Sequence, residues 1–104
     1  MADIKIRATI KGETTEIRAL MIHPMETGRR KDDFGEVVPA HFIQLVTVAL
    51  NGKTVLEAQW GTGVSKNPYL TFRLKGAKVG DKISLQWVDN KGQSSSQGAA
   101  VQAG

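Results

Sequence analysis

The sequence predicts an all-β fold, specifically an immunoglobulin-like antiparallel β-sandwich of about seven strands. Apolar residues recur at every second position along most of the chain, and no stretch shows the sustained apolar period of 3.6 that an amphipathic helix would need. Turn-forming residues separate these runs at near-regular intervals. The length of 104 residues, with 40% hydrophobic and 23% charged residues, is typical of one sandwich domain, so we expect residues 1–104 to form a single domain.

The strands are predicted in order from these alternating runs. The first begins at Ile4, and its apolar residues alternate with Lys5, Arg7 and Thr9. Later runs have the same period: Ile17, Ala19 and Met21; Leu56, Ala58 and Trp60; Leu70, Phe72 and Leu74; Ile83, Leu85 and Trp87. The pair Asn51-Gly52 supplies the positive φ angles that a two-residue hairpin turn requires.

The stretch AHFIQLVTVAL (residues 40–50) departs from this pattern because both of its faces are apolar. Ile43 and Leu45 lie on the face that should be solvated, and Leu20 and Ile22 add apolar residues to the outer face of the second strand. Two explanations stay open. The long loop of the same chain folds back over this face, or a partner protein covers it.

Three connections are predicted to share one end of the sandwich. Where each strand spans the domain once, successive connections alternate between the two ends. The second, fourth and sixth connections are residues 23–39, 61–68 and 89–92. The first of these is longer than a connection between neighbouring strands requires, and loops of that length are often functional. We therefore expect a recognition surface at this end.

Composition and charge exclude several classes of function. The chain has no cysteine, which removes disulfides, thiolate metal sites and a covalent carrier thiol. The net charge of +4 is modest, and the basic residues are scattered along the sequence without interleaved aromatic residues, so nucleic-acid binding is not favoured. Neither the apolar core of a signal peptide nor an apolar run long enough to span a membrane is present in this sequence.

Catalytic and metal-binding patterns are weak. Met21, His23 and Met25 have ligand types that suit Cu(I), but Met21 belongs to the inward face of its strand, and we expect no bound metal or other cofactor. Asp32 and Asp33 are adjacent and would point apart in an extended chain, and no serine stands beside a histidine, so we expect no enzymatic activity. The candidate partner-binding residues come from the loops and the doubly apolar strand: His23, Met25, Arg29, Arg30, Ile43, Leu45, Lys66, Asn67, Pro68 and Tyr69.

Several stretches in the same order resemble the SoxZ family, the smaller subunit of the SoxYZ sulfur carrier complex of thiosulfate oxidation. These are HPMETGRRKD, VPAHFI, WGTGVSKNPYLTF and GDKISLQWVDNKG, and the resemblance extends from the first strand to about Gly92. It implies an immunoglobulin-like β-sandwich that pairs with the Y subunit. In that subunit, the cysteine of a C-terminal Gly-Gly-Cys-Gly-Gly arm carries the sulfur intermediates.

The resemblance also implies further partners and a compartment. The partners are the Sox enzymes that act on the arm-bound sulfur, and the compartment is the periplasm, reached by export together with the Y subunit. A chain without cysteine fits a subunit that supports the carrier but is not itself the carrier. The alternatives from the residues alone are a copper-handling domain and a generic adhesion or ligand-binding sandwich.

Overall fold

The computed structural model describes residues 3–104, and this part of the chain contains strands and no helix. The seven strands are β1 (Ile4–Lys11), β2 (Thr14–Met21), β3 (Ile43–Leu50), β4 (Lys53–Gln59), β5 (Tyr69–Lys75), β6 (Lys82–Asp89) and β7 (Ser94–Gln102). The predicted all-β, immunoglobulin-like fold is therefore confirmed. No helix long and apolar enough to cross a membrane occurs among these residues.

The strands are hydrogen-bonded in the order β4-β3-β6-β7-β1-β2-β5. Every neighbouring pair is antiparallel except β1 and β7, which run parallel and meet only at Ala8 with Val101 and at Thr9 with Gln102. This short junction divides the curled sheet into two antiparallel halves, β4-β3-β6-β7 and β1-β2-β5. The core is supplied by the inward faces of both halves and by one residue, Met25, of the loop between β2 and β3: Ile4, Ala8, Ile17, Ala19, Met21, Met25, Ile43, Val46, Val48, Ile83, Leu85, Trp87 and Val101.

The hairpin between β3 and β4 has the turn that its sequence predicts. Asn51 and Gly52 have φ angles of 51° and 85°, so both central residues occupy the left-handed region. That combination is typical of a type I′ turn, whose twist matches that of the flanking strands.

A β-bulge at the start of β3 explains part of the doubly apolar pattern. Against β6, Ile43 pairs with Asp89 and Leu45 pairs with Val88, so Gln44 is an extra residue in the β3 strand. The side chain of Ile43 is consequently turned into the core and is fully buried. Leu45 stays on the outer face, where it is half-buried.

The prediction that Leu20 and Ile22 share one apolar surface with β3 is wrong. Leu20 is cross-strand from Tyr69 on the outer side of β2, which belongs to the other half of the sheet. Ile22 follows β2 and is 45% exposed. The apolar residues therefore belong to separate surfaces, and period two alone does not reveal this because it does not specify which strands are neighbours.

The bulge leads to a testable difference between two neighbouring positions. We expect Ile43→Ala to lower the free energy of unfolding by about 2–4 kcal/mol, because it leaves a cavity in the core. Leu45→Ala should cost about 1 kcal/mol or less, since its side chain is already partly in water. Urea unfolding of both variants measures the difference, and equal losses would contradict the bulged register.

Candidate functional site

The second, fourth and sixth connections lie at one end of the molecule, as the alternation of strand direction predicts. The backbone N–H of Asn67 donates to the His23 carbonyl, and the His23 N–H donates to Asn67 Oδ1, each at 3.0 Å. Asn90 joins the same end, because its Oδ1 accepts the N–H of Phe42 at 2.8 Å. We call this region, residues 22–42, 60–68 and 90–93, the loop end.

A buried polar cluster lies beneath the loop end and consists of His23, His41 and Asp89. Asp89 is the last residue of β6, and its Oδ2 accepts hydrogen bonds from Nε2 of His23 at 3.1 Å and from Nε2 of His41 at 2.7 Å. Its Oδ1 accepts the backbone N–H groups of Lys91 at 3.0 Å and Gln93 at 2.8 Å. The carboxylate thus joins the beginning of the long loop, its last part and the turn after β6.

The tautomer of His23 follows from its surroundings. Nδ1 accepts the backbone N–H of Met25 at 3.1 Å, so the proton of the neutral ring lies on Nε2 and is donated to Asp89. The ring also packs edge-on against Trp87, with the two centroids 5.0 Å apart. Met25 itself has a φ of 47°, a conformation that non-glycine residues seldom adopt and that the packed surroundings hold in place.

The pKa of Asp89 is lowered from its ordinary value. Burial by itself would raise it, but hydrogen bonds from His23, Gln93, His41 and Lys91 to the carboxylate outweigh that effect. Asp89 is therefore ionised in the folded protein across the neutral range. Its charge is stabilised by four donors, which is the condition under which a buried carboxylate is tolerated.

The same three side chains are the arrangement that comes nearest to a metal site in the described residues. One ligand atom from each lies within 4.8 Å of the others, and two imidazoles with one carboxylate would suit Zn²⁺ or Cu²⁺. The hydrogen bond from Met25 opposes this use, because it places the proton of His23 on the nitrogen that would have to bind the metal. The cluster instead fixes the long loop to the sheet.

The structure also does not bring together the Cu(I) ligand types that the sequence offers, Met21, His23 and Met25. Met21 is buried in the core, and Sδ of Met25 accepts the backbone N–H of Ile43 at 3.3 Å. His23 is directed to Asp89. The three side chains therefore have separate structural partners.

Beyond the cluster, the long loop forms an ordered ribbon. Isolated bridges pair Glu26 with His41 and Lys31 with Val37. At the tip, Asp32 Oδ1 accepts the N–H groups of Phe34 at 2.9 Å and of residue 36 at 3.0 Å, a turn stabilised by an aspartate side chain. Phe34 is 90% exposed at this tip, so the ribbon presents a large apolar side chain to solvent.

The structure separates the candidate binding residues into buried and accessible groups. His23, Met25, Ile43 and Pro68 are buried, so their side chains support the loop end from within. The exposed or half-buried members are Arg29, Arg30, Leu45, Lys66, Asn67 and Tyr69. Arg29, Arg30, Lys66 and Asn67 belong to the loop end, whereas Leu45 is on the outer face of β3 and Tyr69 on that of β5.

Sequence reasoning missed Asp89 as the centre of the site. The sequence pattern identifies residues 89–92 only as the sixth connection, although Asp89 ends a strand at the same end of the sandwich as both histidines. The positions of His23, His41 and Asp89, together with the alternation of the connections between the two ends of the sandwich, could have located the cluster.

The outer side of β4, β3, β6 and β7 forms a second feature, which we call the neutral face. Only Glu57 and Lys82 are charged among its residues: Leu45, Thr47, Ala49, Thr54, Glu57, Gln59, Lys82, Ser84, Gln86, Val88, Ser94, Ser96, Gly98 and Ala100. Near the loop end it borders a shallow cleft of about 370 Å³ lined by Phe42, Gln44, Leu45, Gln59 and Trp60.

Fold and site together define a class of protein: an immunoglobulin-like β-sandwich whose buried polar cluster fixes an extended loop. A family model described as sulphur oxidation protein SoxZ matches residues 4–100. The chain therefore belongs to the SoxZ family, which has a role in the Sox system of sulfur oxidation. A search of curated proteins found no match.

The charge state of Asp89 gives a pH-dependent prediction. Because its pKa is lower in the folded than in the unfolded chain, its ionised form stabilises the fold above about pH 4, and this contribution is lost as the pH falls through the folded pKa. We expect Asp89→Asn to lower the free energy of unfolding by about 2–3 kcal/mol at neutral pH. The difference from the wild type should shrink below about pH 4.

Denaturant unfolding between about pH 3 and pH 7 measures this effect. Asp33→Asn, at the exposed tip of the ribbon, is the matched control and should change stability little at any pH. A difference between Asp89→Asn and wild type that stays constant down to pH 3 would contradict the assigned role of the Asp89 charge.

Proposed function

We propose that this chain is the non-catalytic subunit of a SoxYZ sulfur carrier and pairs with the Y subunit through the neutral face. Membership of the SoxZ family supports a role in the Sox system. The absence of cysteine from the sequence means that a thiol carrying sulfur intermediates must come from another chain. The cysteine arm of the Y subunit supplies that thiol in this proposal.

The neutral face carries the proposal of where the two subunits meet. The centres of protein interfaces are depleted in charged residues, and this face has only Glu57 and Lys82 at its margins. Leu45 is cross-strand from both Gln59 and Val88, and the cleft bordered by Phe42 and Trp60 lies beside it. A nearly uncharged four-stranded surface with a shallow cleft beside Leu45 suits a stable partner.

A non-catalytic role agrees with the chemistry of the buried cluster. The Asp89 carboxylate accepts four hydrogen bonds from donors of this chain, so it is not available to take a proton from a substrate. His23 is buried, and its two ring nitrogens are both engaged. In this proposal the cluster contributes stability and loop position.

Introducing a charge at Leu45 tests the pairing surface. We expect Leu45→Glu to abolish binding of the Y subunit, since an unpaired carboxylate would be buried in the interface. The domain should stay folded because Leu45 faces outward. Co-purification and calorimetric titration with the Y subunit measure the binding, and circular dichroism measures the fold.

Val79→Glu is the matched control for this experiment. Val79 is 63% exposed in the connection between β5 and β6, outside both the neutral face and the loop end. The control should bind the Y subunit as the wild type does. Normal pairing by a folded Leu45→Glu variant would disprove the proposed interface.

The loop end is the proposed docking surface for the enzymes that act on the carrier arm. Arg29, Lys66 and the tip residue Phe34 are exposed there, and arginine and aromatic residues are enriched in interface hot spots. Arg30 pairs with Glu26, with Nη2 2.9 Å from Oε1, and the bridges from Glu26 to His41 and from Lys31 to Val37 order the ribbon. A preorganised, mixed-charge ribbon suits specific recognition because little conformational entropy is lost on binding.

Removing two loop charges tests this docking surface. We expect Arg29→Ala with Arg30→Ala to leave folding and Y-subunit pairing intact but to slow turnover of the reconstituted pathway by roughly threefold or more at low salt. The loss should decrease as salt is raised, because it reflects the association rate. The chain alone with thiosulfate should give no turnover.

The control pair is Lys53→Ala with Lys78→Ala, which removes the same charge at the opposite end of the sandwich. Pathway turnover should be close to that of the wild type in this control. If the arginine variant supports full turnover at every salt concentration, or fails first in pairing with the Y subunit, the loop end is not the enzyme-docking surface.

A further inference from the structure

We propose that the outer side of β1, β2 and β5 is a second docking surface, which binds an acidic segment of a partner protein. We call this surface the basic face. Its outward positions contain six cationic side chains: Lys5, Arg7, Lys11, Arg18, Arg73 and Lys75. Among the outward positions of these three strands, Glu16 is the only residue with a carboxylate side chain.

Strand register brings these charges together from distant parts of the sequence. Lys5 is cross-strand from Leu20, and Arg7 is cross-strand from Arg18. Residues opposite each other in such pairs have Cβ atoms about 5 Å apart, so the two arginine side chains leave the sheet next to each other. Like charges in that position repel, and an anion bound between them would relieve the repulsion.

The carboxylate of Glu16 compensates only a small part of the positive charge on the basic face. Glu16 accepts a hydrogen bond from Arg18 at 2.7 Å, and it lies 3.7 Å from Arg73 and 3.9 Å from Lys11. One negative charge is thus shared by three cations. Neither Lys5 nor Arg7 forms an ion pair with a carboxylate within the described part of the chain.

One end of the basic face is also concave and partly apolar. A cleft of about 280 Å³ is lined by Lys5, Ile6, Arg7, Arg18, Leu20 and Tyr69. Tyr69 is 58% exposed and stands in the same row as Leu20. Cations beside an exposed tyrosine and a leucine form a surface suited to a peptide that carries both carboxylate and apolar groups.

The extent of the charges favours a segment of protein over a small anion. Residues two apart on a strand are separated by about 6.6 Å, so the cations from Lys5 to Lys11 span about 20 Å along β1. A single oxyanion would contact only one or two of them, whereas an extended acidic segment contacts them in succession. Glu16 lies in the middle of the basic face, and Tyr69 is the only exposed aromatic residue on that face, which makes a phosphate backbone a poorer match.

This surface is distinct from those of the proposed function. The basic face belongs to the half-sheet β1-β2-β5, whereas the neutral face belongs to β4-β3-β6-β7. Binding of an acidic segment therefore does not require that the Y subunit pair through the neutral face, and each proposal is tested separately.

The experiment uses a fluorescently labelled oligoglutamate peptide of about ten residues and the full chain, at about 50 and 200 mM salt. The test variant is Lys5→Gln with Arg7→Gln, chosen because neither side chain is in an internal ion pair. The matched control is Lys53→Gln with Lys82→Gln, which removes the same charge outside the basic face. Unchanged thermal unfolding confirms that both variants are folded.

We expect the test variant to bind the peptide about tenfold more weakly than the wild type at low salt, and the control about twofold more weakly or less. Amide chemical shifts should change in β1, β2 and β5. Absence of peptide binding to the wild type, or equal losses in both variants, would disprove the proposal. Sulfate that displaces the peptide at equal concentration would indicate a small-oxyanion site, and tighter binding of duplex DNA would indicate a nucleic-acid surface; either overturns it.

Discussion

The loop end depends on the carboxylate of Asp89. A loop as long as residues 22–42 would lose considerable conformational entropy on ordering, and few apolar side chains hold it to the sheet. Asp89 connects His23 and His41, near the beginning and the end of that loop, to the end of β6. Its other oxygen orders the turn before β7. One buried charge therefore positions two connections at once, and removing it would leave several donors without an acceptor.

The fold itself was predictable because the alternation of apolar residues is directly readable from the sequence. Six of the strands have clear period-two runs or a conspicuous apolar stretch, and Asn51-Gly52 identifies one hairpin. β7 is different, since SSSQGAAVQ has little apolar alternation of its own. It becomes a strand through hydrogen bonds to β6 and a short parallel contact with β1, which are long-range pairings that local pattern does not encode.

The site was less predictable, and the reason is also physical. Parity of the connections correctly placed three loops at one end, but it did not show which side chains turn inward. Met25 and Ile43 were candidates for a binding surface, yet a positive φ at Met25 and a bulge before Leu45 direct both side chains into the core. Bulges and left-handed residues change the direction of a side chain without changing the sequence period that predicts the strand.

The distribution of charge over the surface was also not predictable from the order of residues in the sequence. The basic residues are scattered along the sequence, and on that ground a concentrated positive surface was not expected. Pairing of β1 with β2 and of β2 with β5 gathers Lys5, Arg7 and Arg18 on one face, while the outer side of the other half-sheet is nearly uncharged. The same alternation that fills the core thus gives the two outer faces different chemistry. The two proposed partners would therefore differ in chemistry: one buries the neutral face, and the other brings its own negative charge to the basic face.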